Sequence, residues 1–287
     1  AGDCSVTATM AGNGNYNAVS SSATTVTFAR VALTVTAEAK SKQYGATDPA
    51  LTHVITTGSL VIGDSLTGLL TRASGEDVGT YAINQGTLAN SNYDITYAGA
   101  NLTVTQRPIT VTADSATKQY GAADPTFTHS VTTGSLVGQD ALSGSLTRVS
   151  GESVGTYAIL RGTVENTNYD ITYVGALLSV SQRPITVTAD AKSKEYGASD
   201  PALTYSVTTG SLVGSDTLTG TLSRASGDSV GTYAINQGTL ANSNYDITYA
   251  GANLTVTQRP ITVTADAKSK EYGASDPALT YAITTGS

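Results

Sequence analysis

The Tyr-Gly dipeptide recurs at Tyr44, Tyr120, Tyr196 and Tyr272 at one constant interval, and Leu33, Ile109, Ile185 and Ile261 keep that interval too. A period that never slips means one supersecondary unit copied in tandem, so the fold must be one whose units stack on like neighbours. The usual length rule would divide 287 residues into about two domains, but the repeats replace that division. Complete repeats span residues 33–108, 109–184 and 185–260, and residues 261–287 open an incomplete fourth. Residues 1–32 follow a different pattern and read as the end of another kind of repeat.

Inside a repeat the apolar period is two. In the third copy Ile185-Thr-Val187-Thr-Ala189, Leu203-Thr-Tyr205-Ser-Val207, Thr221-Leu222-Ser223, Thr232-Tyr233-Ala-Ile235, Tyr245-Asp-Ile247-Thr-Tyr249 and Leu254-Thr-Val256 alternate apolar with small polar residues. Such alternation is the mark of half-buried strands, and Thr suits their outward positions because its branched side chain fits the pleat. Turn signals separate the strands, among them Tyr196-Gly197-Ala-Ser-Asp200-Pro201, Val213-Gly214-Ser-Asp216 and Asn242-Ser-Asn244. No segment has helical periodicity. The pattern predicts an all-β chain, a tandem array of small Ig-like β-sandwich repeats with six or seven strands each. In the second copy Ile109, Val111, Tyr157, Ile159, Tyr169, Ile171, Tyr173 and Val180 share one phase, which predicts a single core for each repeat.

Between repeats only Gln106-Arg107-Pro108 separates one strand pattern from the next, and Gln-Arg-Pro returns at residues 182–184 and 258–260. Proline fixes its own φ and pushes the preceding residue toward extended geometry. Arg107 and Pro108, Arg183 and Pro184, and Arg259 and Pro260 are therefore expected as stiff inter-repeat joints, and the array as an extended rod.

The chain carries 15 basic and 22 acidic residues, a net charge of −7, so nothing draws phosphates or anionic lipid to it. Nucleic acid is excluded as an expected partner, and no apolar run is long enough for a membrane span. The opening residues have neither an initiator Met nor a signal-peptide pattern, so the chain reads as a stretch of something longer. The single cysteine, Cys4, has no internal disulfide partner, and a disulfide to an upstream cysteine is its expected state.

Four blocks recur in order: Ile-Thr-Val-Thr-Ala-Asp, Lys-x-Tyr-Gly-Ala-x-Asp-Pro, Gly-Thr-Tyr-Ala-Ile and Asn-Tyr-Asp-Ile-Thr-Tyr. Together they resemble the MBG repeat of YGX type found in large bacterial surface proteins, over residues 33–287. Residues 1–32, with Cys4-Ser-Val-Thr-Ala8 ahead of Ala11-Gly-Asn-Gly-Asn-Tyr-Asn17, are similar to the end of a bacterial Ig-like repeat. The resemblance implies an extracellular or cell-surface spacer in adhesins and haemagglutinin-like proteins, and it supplies no catalytic residues.

Candidate chemistry is thin. His53 and His129 occupy one repeat position where Tyr205 and Tyr281 stand in the other copies, and tyrosine does not replace imidazole as a base or ordinary ligand. No catalytic or cofactor-binding residue is expected, and the chain is read as not an enzyme. Calcium is the metal to consider for a rigid extracellular array, with Asp48, Asp64, Glu76, Asp77 and Asp94 as scattered carboxylates; turn formation is their ordinary role. A cross-link from Lys42 and its copies to an asparagine would need a buried amine beside a carboxylic acid. With 16 tyrosines, two phenylalanines and no tryptophan, tyrosine must fill much of the core. Tyr44, Tyr120, Tyr196 and Tyr272, in their turns, are the candidates for exposure and glycan contact. The expected function is a structural stalk or fibre segment of an exported bacterial adhesin. Its partners would be neighbouring repeats of the same long chain, other copies in a fibre, and surface glycans. The alternatives are a carbohydrate-binding repeat and a self-assembling filament joined by strand exchange.

Overall fold

The computed structural model describes residues 2–286, and the regular structure among them is entirely β. The opening segment holds β1 (Gly2–Val6), β2 (Thr9–Met10), β3 (Val19–Ser20) and β4 (Thr24–Phe28). Repeat 1 holds β5 (Val31–Ala37), β6 (Lys40–Gln43), β7 (His53–Thr57), β8 (Thr71–Arg72), β9 (Gly79–Asn84), β10 (Tyr93–Ala98) and β11 (Ala100–Thr105). Repeat 2 follows with β12 (Arg107–Ala113), β13 (Ala116–Gln119), β14 (His129–Thr133), β15 (Thr147–Arg148), β16 (Gly155–Leu160), β17 (Tyr169–Val174) and β18 (Ala176–Ser181). Repeat 3 has β19 (Arg183–Ala189), β20 (Lys192–Glu195), β21 (Tyr205–Thr209), β22 (Ser223–Arg224), β23 (Gly231–Asn236), β24 (Tyr245–Ala250) and β25 (Ala252–Thr257). A two-stranded ladder, β26 (Thr262–Ala265) with β27 (Tyr281–Thr285), closes the described chain.

Repeat 1 forms two sheets, in the orders β10-β5-β7 and β6-β11-β9-β8. Both contain a parallel pair: β5 runs with β10 from Val31 opposite Tyr93, and β6 runs with β11 from Lys40 opposite Leu102. Both pairs keep one and the same offset along the chain, so the opening and closing stretches of the repeat lie side by side in one register. Repeat 3 has the same two sheets, β21-β19-β24 and β20-β25-β23-β22.

The alternation that predicted strands places the core. Leu33, Val35 and Ala37 on β5 are buried while Thr34 and Thr36 between them are half exposed. Thr36 meets Thr56 across the sheet at 2.9 Å, a cross-strand hydroxyl pair repeated by Thr112 with Thr132 and Thr188 with Thr208. Ala37, Ile83 and Leu102 gather between the two sheets of repeat 1 with Tyr81 and Tyr97 packed around them. Ala189, Ile235 and Leu254 do the same in repeat 3.

Packing does not follow the sequence repeat. One compact unit takes in the chain up to Ala113 with Thr128–Thr147 and Arg161–Gly175; the other takes Asp114–Phe127, Arg148–Leu160 and the chain from Ala176 onward. In the first unit Ile109, Val111, Tyr169 and Ile171 of repeat 2 share a core with Tyr44 and Val104 of repeat 1. This corrects the expectation of one self-contained core per repeat. Ile159 and Val180 are buried as expected, but Val104, the counterpart of Val180, packs against the following repeat.

Residues 2–32 and 261–285 are exposed throughout. Tyr281 and Ile283 face Ala265 and Val263 in the closing ladder and are not covered by a further layer.

Candidate functional site

The feature most constrained by geometry is the joint between repeats. Gln106 is the single residue between β11 and β12, so the chain passes from the last strand of one repeat into the first of the next. Arg107 and Pro108 are thus inside a strand rather than in a linker, which corrects the sequence expectation, and Arg183 and Pro184 stand identically at the head of β19. Proline is tolerated there because β14 pairs with β12 only from Thr110 onward, so its missing N–H leaves no gap in that ladder. Arg259 and Pro260 lie between β25 and β26.

Tyr44 follows β6, and its ring is inserted into the next repeat with only 9% of the residue exposed. Its edge meets the ring of Tyr169 with centroids 5.5 Å apart, and both hydroxyls donate to Asp140 Oδ2, at 2.9 and 2.6 Å. The Tyr169 hydroxyl in turn accepts from the Val137 N–H at 2.7 Å. Tyr120, Tyr245, Asp216 and Val213 repeat the arrangement in the second unit, with centroids at 5.5 Å and hydroxyl contacts of 2.8 and 2.6 Å. Tyr44 and Tyr120 are therefore joint residues, not exposed glycan contacts: an aromatic ring beside a neighbouring apolar face gains more from burial than from solvent. Tyr196 is 53% exposed and Tyr272 fully so.

Glycine is obligatory after this tyrosine. Gly45 has φ +74°, and a Cβ there would lie 2.4 Å from Val137 Cγ2; at Gly121, φ is +76° and the distance to Val213 Cγ2 is 2.3 Å. The turn needs both the left-handed conformation and the room. Polar side chains complete the seam. Asn168 accepts from the Val78 N–H at 2.9 Å and donates to Asp77 at 2.8 Å, while the Gln106 amide donates to the carbonyls of Thr167 and Tyr169. Asn244 and Gln182 take these places in the second unit.

A second constellation braces each four-stranded sheet. The Lys42 side chain is 4% exposed, and its Nζ lies 2.6 Å from Asp48 and 2.5 Å from Glu76. Arg72 reaches both carboxylates from the other side, 2.5 Å to Asp48, and lies over the Tyr81 ring at 5.5 Å. Lys118, Asp124, Arg148, Glu152 and Tyr157 form the same cluster, and in repeat 3 Lys194, Asp200, Arg224, Asp228 and Tyr233 do so with aspartate in place of glutamate. The sequence reading missed this cluster and the strand that carries its lysine.

The cluster argues against the cross-link considered from sequence. The neighbours of Lys42 are Asp48 and Glu76, not asparagine, and their hydrogen bonds hold its pKa above the ordinary value, so the amine stays protonated. Arg148 and then Lys118 pull the Asp124 pKa down to about 2, and Arg224 and then Lys194 do the same to Asp200. Of the carboxylates considered for calcium, Asp48 and Glu76 are held by these cations, Asp64 accepts from the Tyr93 hydroxyl at 2.7 Å and Asp77 from Asn168. His53 and His129 open β7 and β14 at half-buried positions, and Cys4 is exposed with a free thiol.

A stability-against-pH profile follows from these shifts. Carboxyl groups whose folded pKa is depressed stabilise the fold fully above their unfolded values of about 4. That contribution disappears as pH falls through the folded values of about 2 at Asp124 and Asp200. Burial and then Asp140 push the Tyr169 pKa up to about 12, so its contribution is full below about pH 10 and is lost as pH rises toward 12. Melting temperature measured from pH 2 to 12 should form a plateau falling only below about pH 4 and above about pH 10. A decline already under way between pH 7 and 5 would refute it.

The arrangement therefore holds repeats together. The description MBG domain (YGX type) matches residues 33–103, 109–179 and 185–255, in step with the three repeats. The chain belongs to the MBG family of YGX type. Of the Tyr-Gly dipeptides, Tyr44 and Tyr120 place their rings in the neighbouring repeat. No curated protein matches the chain. MBG domains are repeat domains of exported surface proteins, and the three copies here are a tandem MBG array.

Proposed function

We infer that this MBG array is a non-catalytic structural segment, a stalk or fibre stretch of an exported bacterial surface adhesin, located outside the cell. The observation that carries the reading is the joint: Tyr44 of one repeat is buried in the core of the next, and Tyr120 repeats the device. A segment whose task is to hold spacing gains from a seam that resists bending, whereas an independent binding module gains nothing from burying its aromatic residue there. Its partners in this reading are neighbouring repeats of the same chain. The sugar-binding alternative keeps exposed tyrosines only at Tyr196 and Tyr272 of the four turn positions, not a platform on every repeat.

Antibodies raised against the purified repeats test the location and role. Intact cells of the source organism should be labelled, and deleting the array should shorten the surface projection while leaving its terminal activity in place. Labelling only after lysis would overturn the reading. Strong, saturable binding of the array to a glycan panel, lost on replacing Tyr196, would favour the carbohydrate-binding alternative.

A further inference from the structure

We propose that each MBG repeat is a shear clamp, built to carry tension along the chain. The argument rests on the direction of the strands. In repeat 1, load entering at β5 and leaving at β11 pulls two neighbouring stretches that run the same way in opposite senses. Six residue pairs join β5 to β10 and four join β6 to β11, all with the same offset along the chain. Sliding one stretch past the other strains every one of these pairs at once, whereas an antiparallel hairpin pulled at its open end yields one pair at a time. Repeat 3 copies the arrangement, with six pairs between β19 and β24 and four between β20 and β25.

Four further features suit the same task. Gln106 passes the load from β11 to β12 with no slack, and β12 meets its own parallel partner at once, Arg107 opposite Tyr169. The seam residues Tyr44, Asn168 and Gln106 tie the end of one repeat to the body of the next. Lys42, pinned by Asp48 and Glu76, locks the short strand β6 that the load would otherwise strip away first. Register slippage is opposed by side-chain phase, because a one-residue slip would turn Leu102 and Val104 outward.

The proposal rests on the stalk reading only for the origin of the load. Single-molecule force spectroscopy tests it on the full 287-residue chain, in a Cys4→Ser background, with handles on introduced cysteines. Ala32→Cys with Thr105→Cys loads repeat 1 in shear. Ala32→Cys with Asp94→Cys loads the paired ends of β5 and β10 and peels them apart, since Ala32 faces Asp94. Both chains should melt like the parent, and the shear direction should need several-fold more force. Pulling the unaltered chain by its ends should give one step per repeat, each releasing roughly 250–270 Å of extended chain before the folded span is subtracted. Equal forces in the two directions, or end-to-end extension without a resisting step, would overturn the clamp. Neither result depends on the cell labelling, so the clamp and the surface location stand or fall separately.

Discussion

Replacing Tyr44 by alanine should destabilise the chain by about 3–5 kcal/mol, the range for removing a large buried aromatic side chain. The residue is truncated inside a core to which two repeats contribute, so the loss falls on both. Urea unfolding of the full chain should show a new transition at lower denaturant, as the three-stranded sheet of repeat 2 loses its cover. Tyr44→Phe separates packing from polarity. It should cost only about 1 kcal/mol, because Asp140 keeps the hydroxyl of Tyr169 and one hydrogen bond is lost. If Tyr44→Ala unfolded within about 1 kcal/mol of the parent, the seam would be a contact between independent domains rather than a shared core.

Asp124→Ala is expected to be nearly as damaging, by about 3 kcal/mol. Its carboxylate is 2.7 Å from Lys118 Nζ and 2.6 Å from Arg148 Nε, and the lysine side chain is only 3% exposed. Removing it leaves two cations facing Glu152 alone. Breaking a buried pair by taking away one partner costs about 3–5 kcal/mol, and the solvent access of the carboxylates puts this case at the lower end. Lys118→Met, which removes the buried charge and keeps an aliphatic stem beside the sheet, should cost clearly less. A larger loss in Lys118→Met than in Asp124→Ala would mean that the ammonium contributes net stability beyond its packing.

Most of the architecture could be read from the chain because period-two alternation survives in strands with one buried face. Ile185, Val187 and Ala189 are predicted and found on one side of β19. Strand β6 escaped because its inward residue is Lys42, which reads as polar until Asp48 and Glu76 are seen to neutralise it. Asp48 stands beyond a turn and Glu76 beyond two further strands, out of range of any local pattern. The joint was misread for a related reason. Gln-Arg-Pro looks like a linker, and only its parallel partner β17, near the far end of the same repeat, makes it a strand. A Tyr-Gly turn is normally a surface feature, so the sequence alone predicts an exposed Tyr44. Its burial depends on Val137 and Asp140, which belong to the following copy.

The offset between packing and sequence repeat also governs how such an array can change its length. Since the turn at Tyr44 fits the sheet after it just as Tyr120 fits its own, a gene that loses or gains one whole period rebuilds the same seam at the new junction. An insertion of any other size would put a different surface against the tyrosine. Unequal recombination between near-identical copies can therefore lengthen or shorten the protein without passing through an unfolded intermediate sequence. Repeat number becomes a quantity that selection can adjust in whole steps.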